Sequence, residues 1–352
     1  MRRWLGVVFY CNFAKQMKTK HFNIPIFIPE LACPFQCIYC NQKKITGQLK
    51  VLTPDEVKQI IDEHLKTIPF KNSIVDVAFF GGNFTGIPLP EQENYLKVVQ
   101  PYFTKGIIKG IRLSTRPDYI NNEVLDLLKK YNVTTIELGA QSMKDEVLRT
   151  SRRGHKVKDT ILASEKIRTY GFSLGLQMML GLPGDNLENA VFTAKKIVKL
   201  GANNTRIYPC LVIKDTKLEE YYYQKKYIPL TLDEAIQQAK EVYLVFEKSE
   251  VTVLRVGLHP SENLLNGNDL IAGPFHQSFK ELVFTEVWND ILLPLTKNPK
   301  SENVEIFVSP TEFNYAIGYN SKNKNLLKPY FKKLHFKSDV NIKKRNYRVN
   351  YY

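Results

Sequence analysis

The sequence predicts an α/β chain: a partial parallel (β/α) barrel of about six strands with a smaller C-terminal α+β extension. Three observations predict it. Between residues 24 and 211, short apolar strand-like runs alternate with helix-like segments, the pattern of a parallel sheet crossed over by helices. The unusual sequences of this half, at 33–40, 81–86, 114–118, 139–142, 181–184 and 208–210, follow predicted strands, where parallel barrels carry their chemistry. Beyond Pro229 the regular alternation is lost.

Composition bounds the possibilities. A chain of 352 residues, 43% hydrophobic, is long enough for one large core or a core with an appendage. No stretch reaches the ~18 apolar residues of a membrane span. Five cysteines, three of them clustered, suit a reducing cytoplasm better than a secreted disulfide framework. The net charge of +15 favours nucleic acid or another anionic partner, or else a surface of solvated lysines.

Taken in order, residues 1–16 look foreign to the rest. Arg2 and Arg3 before an apolar run imitate a signal peptide, but Asn12 breaks the run and no small-residue cleavage motif follows. We expect 1–16 to be an over-extended start or a disordered leader, with Met17 the true initiator. We expect 17–250 to form the barrel and 251–352 an accessory region. The first strand, 24–29, leads into a cysteine loop. Thr53 then caps a helix, with Pro54 in its first turn and Glu56 completing a capping box; Val57, Ile60, Ile61, His64 and Leu65 follow at helical spacing. A buried strand at 75–80 ends in Gly81-Gly82, and a helix at 91–102 returns the chain. The next strand, 111–115, is closed by Arg116-Pro117-Asp118. Helix 122–131 leads to strand 135–138, helices near 144–149 and 158–170 to strand 172–180, and helix 187–200 to strand 205–211. Beyond Pro229 come an amphipathic helix at 232–248, strands at 251–256 and 304–309, and a short helix at 325–331. The tail from Lys328 is rich in lysine, arginine and aromatic residues.

The stretch Cys33-Pro34-Phe35-Gln36-Cys37-Ile38-Tyr39-Cys40 sets three cysteines at C-x-x-x-C-x-x-C spacing. Thiolates at that density bind soft metal, and three leave one valence for another ligand. A disulfide would strand one of the three. A zinc site would need a distant ligand such as Cys11, His21 or Cys210. The spacing resembles the signature of the radical S-adenosylmethionine (SAM) superfamily. The resemblance implies that Cys33, Cys37 and Cys40 each hold one iron of a 4Fe–4S cluster, whose fourth iron chelates the SAM amino and carboxylate groups.

The same resemblance implies the remaining contacts. Tyr39 would lie beside the adenine, or simply pack in the loop. Gly81 and Gly82 would let backbone approach the SAM amino group, with Asn83 as a neutral acceptor. Gly139-Ala140-Gln141-Ser142 with Arg152-Arg153-Gly154-His155 is similar to a segment of anaerobic coproporphyrinogen oxidase and the catalytic subunit of Elongator. It would put Gln141 on the ribose and Arg153 on the carboxylate, chemistry that suits an amide and a forked guanidinium. Ser114 and Gln177 would also face the ribose. Gln177, polar in an apolar run, needs partners in any case. Gly181 would let backbone reach the adenine.

The likeness covers residues 24–250 and is strongest to the Elongator-type branch, through Ile-Glu-Leu-Gly-Ala-Gln-Ser and Arg-Arg-Gly-His. We expect a member lacking the acetyltransferase domain of that subunit, so its chemistry on wobble uridine does not carry over. The resemblance implies reductive cleavage of SAM, hydrogen abstraction from substrate, and an electron donor such as flavodoxin or ferredoxin. Substrate-side candidates are Arg116, Arg206, Tyr208, His259 and His276; without a third ligand the two histidines do not read as a zinc site. Three classes stay open: modification of tRNA or another RNA, oxidation of a small molecule such as a porphyrinogen, and a cluster-bearing carrier or chaperone without turnover.

Overall fold

The computed structural model describes residues 20–28, 37–41, 44, 50–69, 71–258, 262–297 and 299–352. The expected leader, Cys11, Cys33 and His259 lie outside the described residues. Seven strands form one sheet: β1 (Lys20–Ile28), β2 (Ser73–Gly81), β3 (Gly110–Thr115), β4 (Val133–Gln141), β5 (Ser173–Leu180), β6 (Asn204–Pro209) and β8 (Thr252–Val256). They pair in that order, each parallel to its neighbour. This is the expected partial barrel, with one strand more than the six expected. Thr252–Val256 pairs with β6, so the barrel sheet continues past residue 250.

Local chemistry explains the elements. Thr53 Oγ1 accepts from the Glu56 amide while the Glu56 carboxylate accepts from the Thr53 amide. This reciprocal cap starts the helix Pro54–Leu65 where the sequence places it. The strands are two-faced. Ile24, Ile26, Val77, Phe79, Ile111, Leu113, Ile136, Leu138, Leu174 and Leu176 are buried in the main apolar core. They alternate with Asp76, Arg112, Glu137 and Gln177, so the concave face carries charge where the other face packs. Strand β6 stops at Pro209, which cannot donate to a ladder. The chain then forms β7 (Val212–Ile213), paired antiparallel with β9 (Leu270–Ala272).

The C-terminal unit is a three-stranded sheet, ordered β11 (Lys333–Ser338), β10 (Asn303–Val308), β12 (Tyr347–Tyr351). The helix Phe279–Leu292 joins it to the barrel. Its Phe279, Val283 and Phe284 enter the barrel core, while Trp288 and Leu292 enter the C-terminal one. The short helix expected at 325–331 is Lys322–Leu327, continued by a tighter turn at Lys328–Tyr330. Among the described residues no helix is long and apolar enough to cross a membrane.

Candidate SAM and iron–sulfur site

In the described part of the cysteine loop Cys37, Ile38 and Tyr39 are buried, and the loop is pinned from two sides. The Ile38 amide donates to the Ser151 carbonyl at 3.2 Å, and the Leu218 amide donates to the Ile38 carbonyl at 2.7 Å. Cys37, Ile38 and Tyr39 pack with Val147, Leu182, Cys210, Val212, Leu218 and Tyr227. This packing buries the Cys37 thiol, while Cys40 is half-buried at the edge of the cluster. Burial, and then the neighbouring Cys37 sulfur, raises the Tyr39 phenol well above its ordinary pKa.

Arg153 reaches this loop from the turn after the helix Asp145–Thr150. Its Nη1 stands 3.4 Å from Cys37 Sγ and its Nη2 donates to the Gly139 carbonyl at 3.0 Å. Gln141 lies beside it, in left-handed backbone (φ 63°) at the end of β4, where the β4–β5 register shifts. A Cβ on Gly139 would sit 2.8 Å from Arg153 Nη2 and 2.9 Å from Gln141 Nε2, so glycine there makes room for both side chains. Arg153 Nε and Gln141 Oε1 are buried without a hydrogen-bond partner. A buried donor and acceptor left unpaired, side by side, fit a ligand that carries both an acceptor and a donor.

Below this pair the concave face holds a charged layer. Glu137, fully buried, accepts from Arg206 Nε at 2.6 Å and Nη2 at 3.2 Å, and has Arg112 Nε at 3.3 Å. Gln177 Nε2 donates to both Ser114 Oγ and Glu137 Oε2 at 3.2 Å. The two expected ribose-facing residues are therefore together, on a carboxylate the sequence analysis did not single out. Arg206 also lies over the Phe80 ring. Burial raises the Tyr208 phenol, with Arg206 beside it opposing the rise.

Other expected site residues are engaged by the protein itself. Asn83 is fully buried and its Oδ1 accepts from Thr115 Oγ1 at 2.6 Å and the Arg116 amide at 3.1 Å. These two bonds join the end of β2 to the end of β3. Gly81 has φ 102°, and a Cβ there would meet the Ile28 carbonyl at 2.5 Å. Gly82 donates to that same carbonyl, so the double glycine lets the end of β1 approach. Gly181 donates to Asp185 Oδ2 and accepts from Tyr227 Oη, and its missing Cβ makes room for Leu230. Arg116 is buried, forks onto Asp118, and donates to the Arg153 carbonyl at 2.8 Å. It thereby braces Arg153. His276 packs edge-on against Tyr319 and accepts from the Ser278 amide.

Three buried titratable groups surround the site. Burial, with Arg153 next, pushes His155 down to about 3, so it is neutral. Burial pushes Asp185 up to about 6 against the pull of the Gly181 and Asn186 amides. Burial pushes the Cys210 thiol up to about 12, and its hydrogen bond with Tyr227 only partly offsets that. The Asp after Gly-Leu-Pro-Gly is a polar residue in an apolar turn, a signal that could have drawn attention to Asp185. The residues present fit a cluster and SAM: a buried Cys37 thiol with Cys40 close by, and an adjoining guanidinium and amide that have polar atoms to spare.

A model of the radical SAM superfamily matches residues 28–197, and one of the radical SAM C-terminal domain matches residues 202–289. The chain is 33% identical over 233 residues to an uncharacterized protein of Methanocaldococcus jannaschii, covering 62% of this chain and 70% of that one. It is 34% identical over 198 residues to the tRNA uridine(34) acetyltransferase of Methanocaldococcus infernus, covering 50% of this chain but 36% of the relative. It is 26% identical over 254 residues to the heme chaperone HemW of Bacillus subtilis, covering 70% and 62%. Among solved structures, Methanocaldococcus infernus Elp3 with an N-terminal deletion aligns at a TM-score of 0.63 and 21% identity, covering 78% of this chain and 64% of that one, a likeness of fold. With both models covering adjoining parts of the barrel, the chain belongs to the radical SAM superfamily, whose enzymes use a 4Fe–4S cluster and SAM.

Proposed function

We propose that this chain is a radical SAM enzyme that modifies RNA. Cys37 and Cys40, with Cys33 of the same motif, would hold the cluster, and Arg153, Gln141, Ser114 and Gln177 would bind SAM. When bound, these groups supply reductive cleavage of the sulfonium and abstraction of a hydrogen atom from substrate. The protein's own part is binding and orientation. Arg153 offers a guanidinium held by the Gly139 carbonyl and braced through its own carbonyl by Arg116, and a forked cation of that kind suits the SAM carboxylate. Gln141 offers an unpaired carbonyl oxygen. Glu137, anchored by Arg206, fixes Gln177 and through it Ser114. The apolar shell of Ile38, Leu182 and Leu218 packs around Cys37 and shields its thiol from water. A one-electron donor such as flavodoxin or ferredoxin is the redox partner this chemistry requires.

The observation that carries the RNA half is the 34% identity to an enzyme named for tRNA uridine 34, over half of this chain. The excess of positive charge supports it. The test uses anaerobically reconstituted protein with reductant and SAM, and measures 5′-deoxyadenosine with and without total tRNA. We expect tRNA to raise its release and a changed nucleoside to appear in the digested tRNA. Release that responds to a porphyrin and not to tRNA would overturn the RNA reading, and no release under any condition would overturn the enzyme reading.

A further inference from the structure

We propose that the outer face of the C-terminal sheet is a docking platform for a single-stranded stretch of RNA; the proposal rests on the RNA reading above and adds where the RNA is held. The three strands are two-faced. Val304, Ile306 and Val308 of β10 are buried in the C-terminal core, with Leu334, Phe336, Tyr347, Val349 and Tyr351 packed against them. Side chains alternate across a strand, so the intervening residues stand together on the other face. The register sets Lys337, Phe307 and Arg348 in one row and His335, Glu305 and Asn350 in the next. Lys333, His335, Lys337, Arg348 and Asn350 are exposed, and Phe307 is half-buried at the centre.

An aromatic ring in the middle of a sheet face with cations on both flanks has a specific use. Single-stranded nucleic acid is bound by stacking bases on aromatic rings or guanidinium planes while basic groups track the phosphates. Arg348 lies over the Phe307 ring with its guanidinium carbon 4.0 Å from the centroid, and Lys337 Nζ is 5.9 Å away. The ring supports the guanidinium from one side, so the exposed Arg348 plane is the surface on which a base would stack. Lys337 pairs with Glu305 and Arg348 with Asp339. Both are surface pairs of the kind worth little in water, so a phosphate can replace either carboxylate. Charge points the same way: residues 303–352 hold ten lysines and arginines against three aspartates and glutamates, nearly half of the chain's net +15. A polyanion complements that face.

The holoprotein should be titrated against a fluorescein-labelled single-stranded RNA dodecamer and against total tRNA, following anisotropy across a salt series. Phe307→Ala should weaken binding about tenfold, as loss of one stacked base does, and Phe307→Tyr should restore it. The double variant Lys333→Ala/Arg348→Ala, on exposed positions that leave the core untouched, should weaken binding to both RNAs and reduce the salt slope by about one to two. SAM cleavage without RNA should be unchanged in every variant, which shows that the barrel is intact. Wild-type binding that neither variant weakens would overturn the platform while leaving the RNA reading standing. A wild type that binds neither RNA would overturn both. Binding to vesicles containing phosphatidylserine in place of RNA would assign the face to a membrane surface and overturn the proposal.

Discussion

The Arg153 guanidinium lies 3.4 Å from the Cys37 sulfur, a contact between residues 116 apart in the chain. It joins the two motifs that the sequence offers separately, the cysteine run and Arg-Arg-Gly-His, into one site. The contact is buried, and the guanidinium keeps one polar atom, Nε, without a partner. A cation at that position can hold an anionic group beside the cluster loop.

If Arg153 clamps the SAM carboxylate, Arg153→Lys keeps the charge but loses the fork. SAM affinity should fall about tenfold or more, since a charged hydrogen bond contributes ~1.5–3 kcal/mol. Arg153→Ala should be weaker still, and exposed Arg152→Ala should match the wild type. Iron and sulfide content should stay constant throughout. Titration of SAM into reconstituted protein decides it, and a larger loss at Arg152 than at Arg153 would show that the clamp lies elsewhere.

Single Cys33→Ala, Cys37→Ala and Cys40→Ala variants should each lose the cluster, read as iron, sulfide and visible absorption. Cys210→Ala should keep it. Cys210 packs in the same apolar cluster as Cys37, but burial pushes its thiol up to about 12, which disfavours the thiolate a metal needs. Cluster loss in Cys210→Ala with retention in Cys40→Ala would reassign the ligands.

Among the described residues, Glu137 is the carboxylate that pairs with both Arg112 and Arg206. Glu137→Ala leaves two buried cations without it, and removing one partner of a buried pair costs roughly 3–5 kcal/mol. Glu137→Gln retains the shape and one acceptor and should cost less. In Arg206→Ala/Glu137→Ala the loss should be smaller than the sum of the single losses, because the two side chains act as one unit. Thermal unfolding of the four proteins measures this, and strict additivity would contradict the pairing.

What the sequence made legible follows from local signals. The capping box at Thr53 and Glu56, the strand ends and the residues around Arg153 depend on neighbours a few positions away. Glu137 was hidden although it sits inside Ile-Glu-Leu-Gly-Ala-Gln-Ser, because its meaning comes from Arg206, 69 residues on. A single sequence does not say which face of a strand turns inward. Asn83 shows the same limit: its type suits a ligand contact, and the sequence does not show that its oxygen accepts from Thr115 and Arg116. The seventh strand was assigned to the wrong unit because it follows a long excursion, through β7 and the helix Leu232–Lys248, that breaks the alternation. Sheet order is a property of distant pairing, and only the register of β6 with β8 reveals it.

The last prediction concerns His155, buried beside Arg153 and pushed down to about 3. Its ordinary pKa is about 6.5, which the unfolded chain recovers. Between those values the unfolded chain binds a proton that the folded chain does not. Stability therefore falls as the pH drops below ~6.5 and is unaffected by this group above neutrality. At pH 5.5 the loss is about 1.4 kcal/mol. Asp185 opposes it: raised to about 6, its carboxyl is protonated first in the folded state, so acidification through pH 6 to 4 favours folding. The wild type alone would show only the difference between the two. Comparing wild-type and His155→Gln apoprotein isolates the histidine, because Asp185 is common to both. Between pH 7.5 and 5.5 the wild type should lose more thermal stability than His155→Gln. Parallel pH profiles for the two proteins would mean that His155 takes up its proton in the folded state, and that the pocket beside Arg153 is open to water.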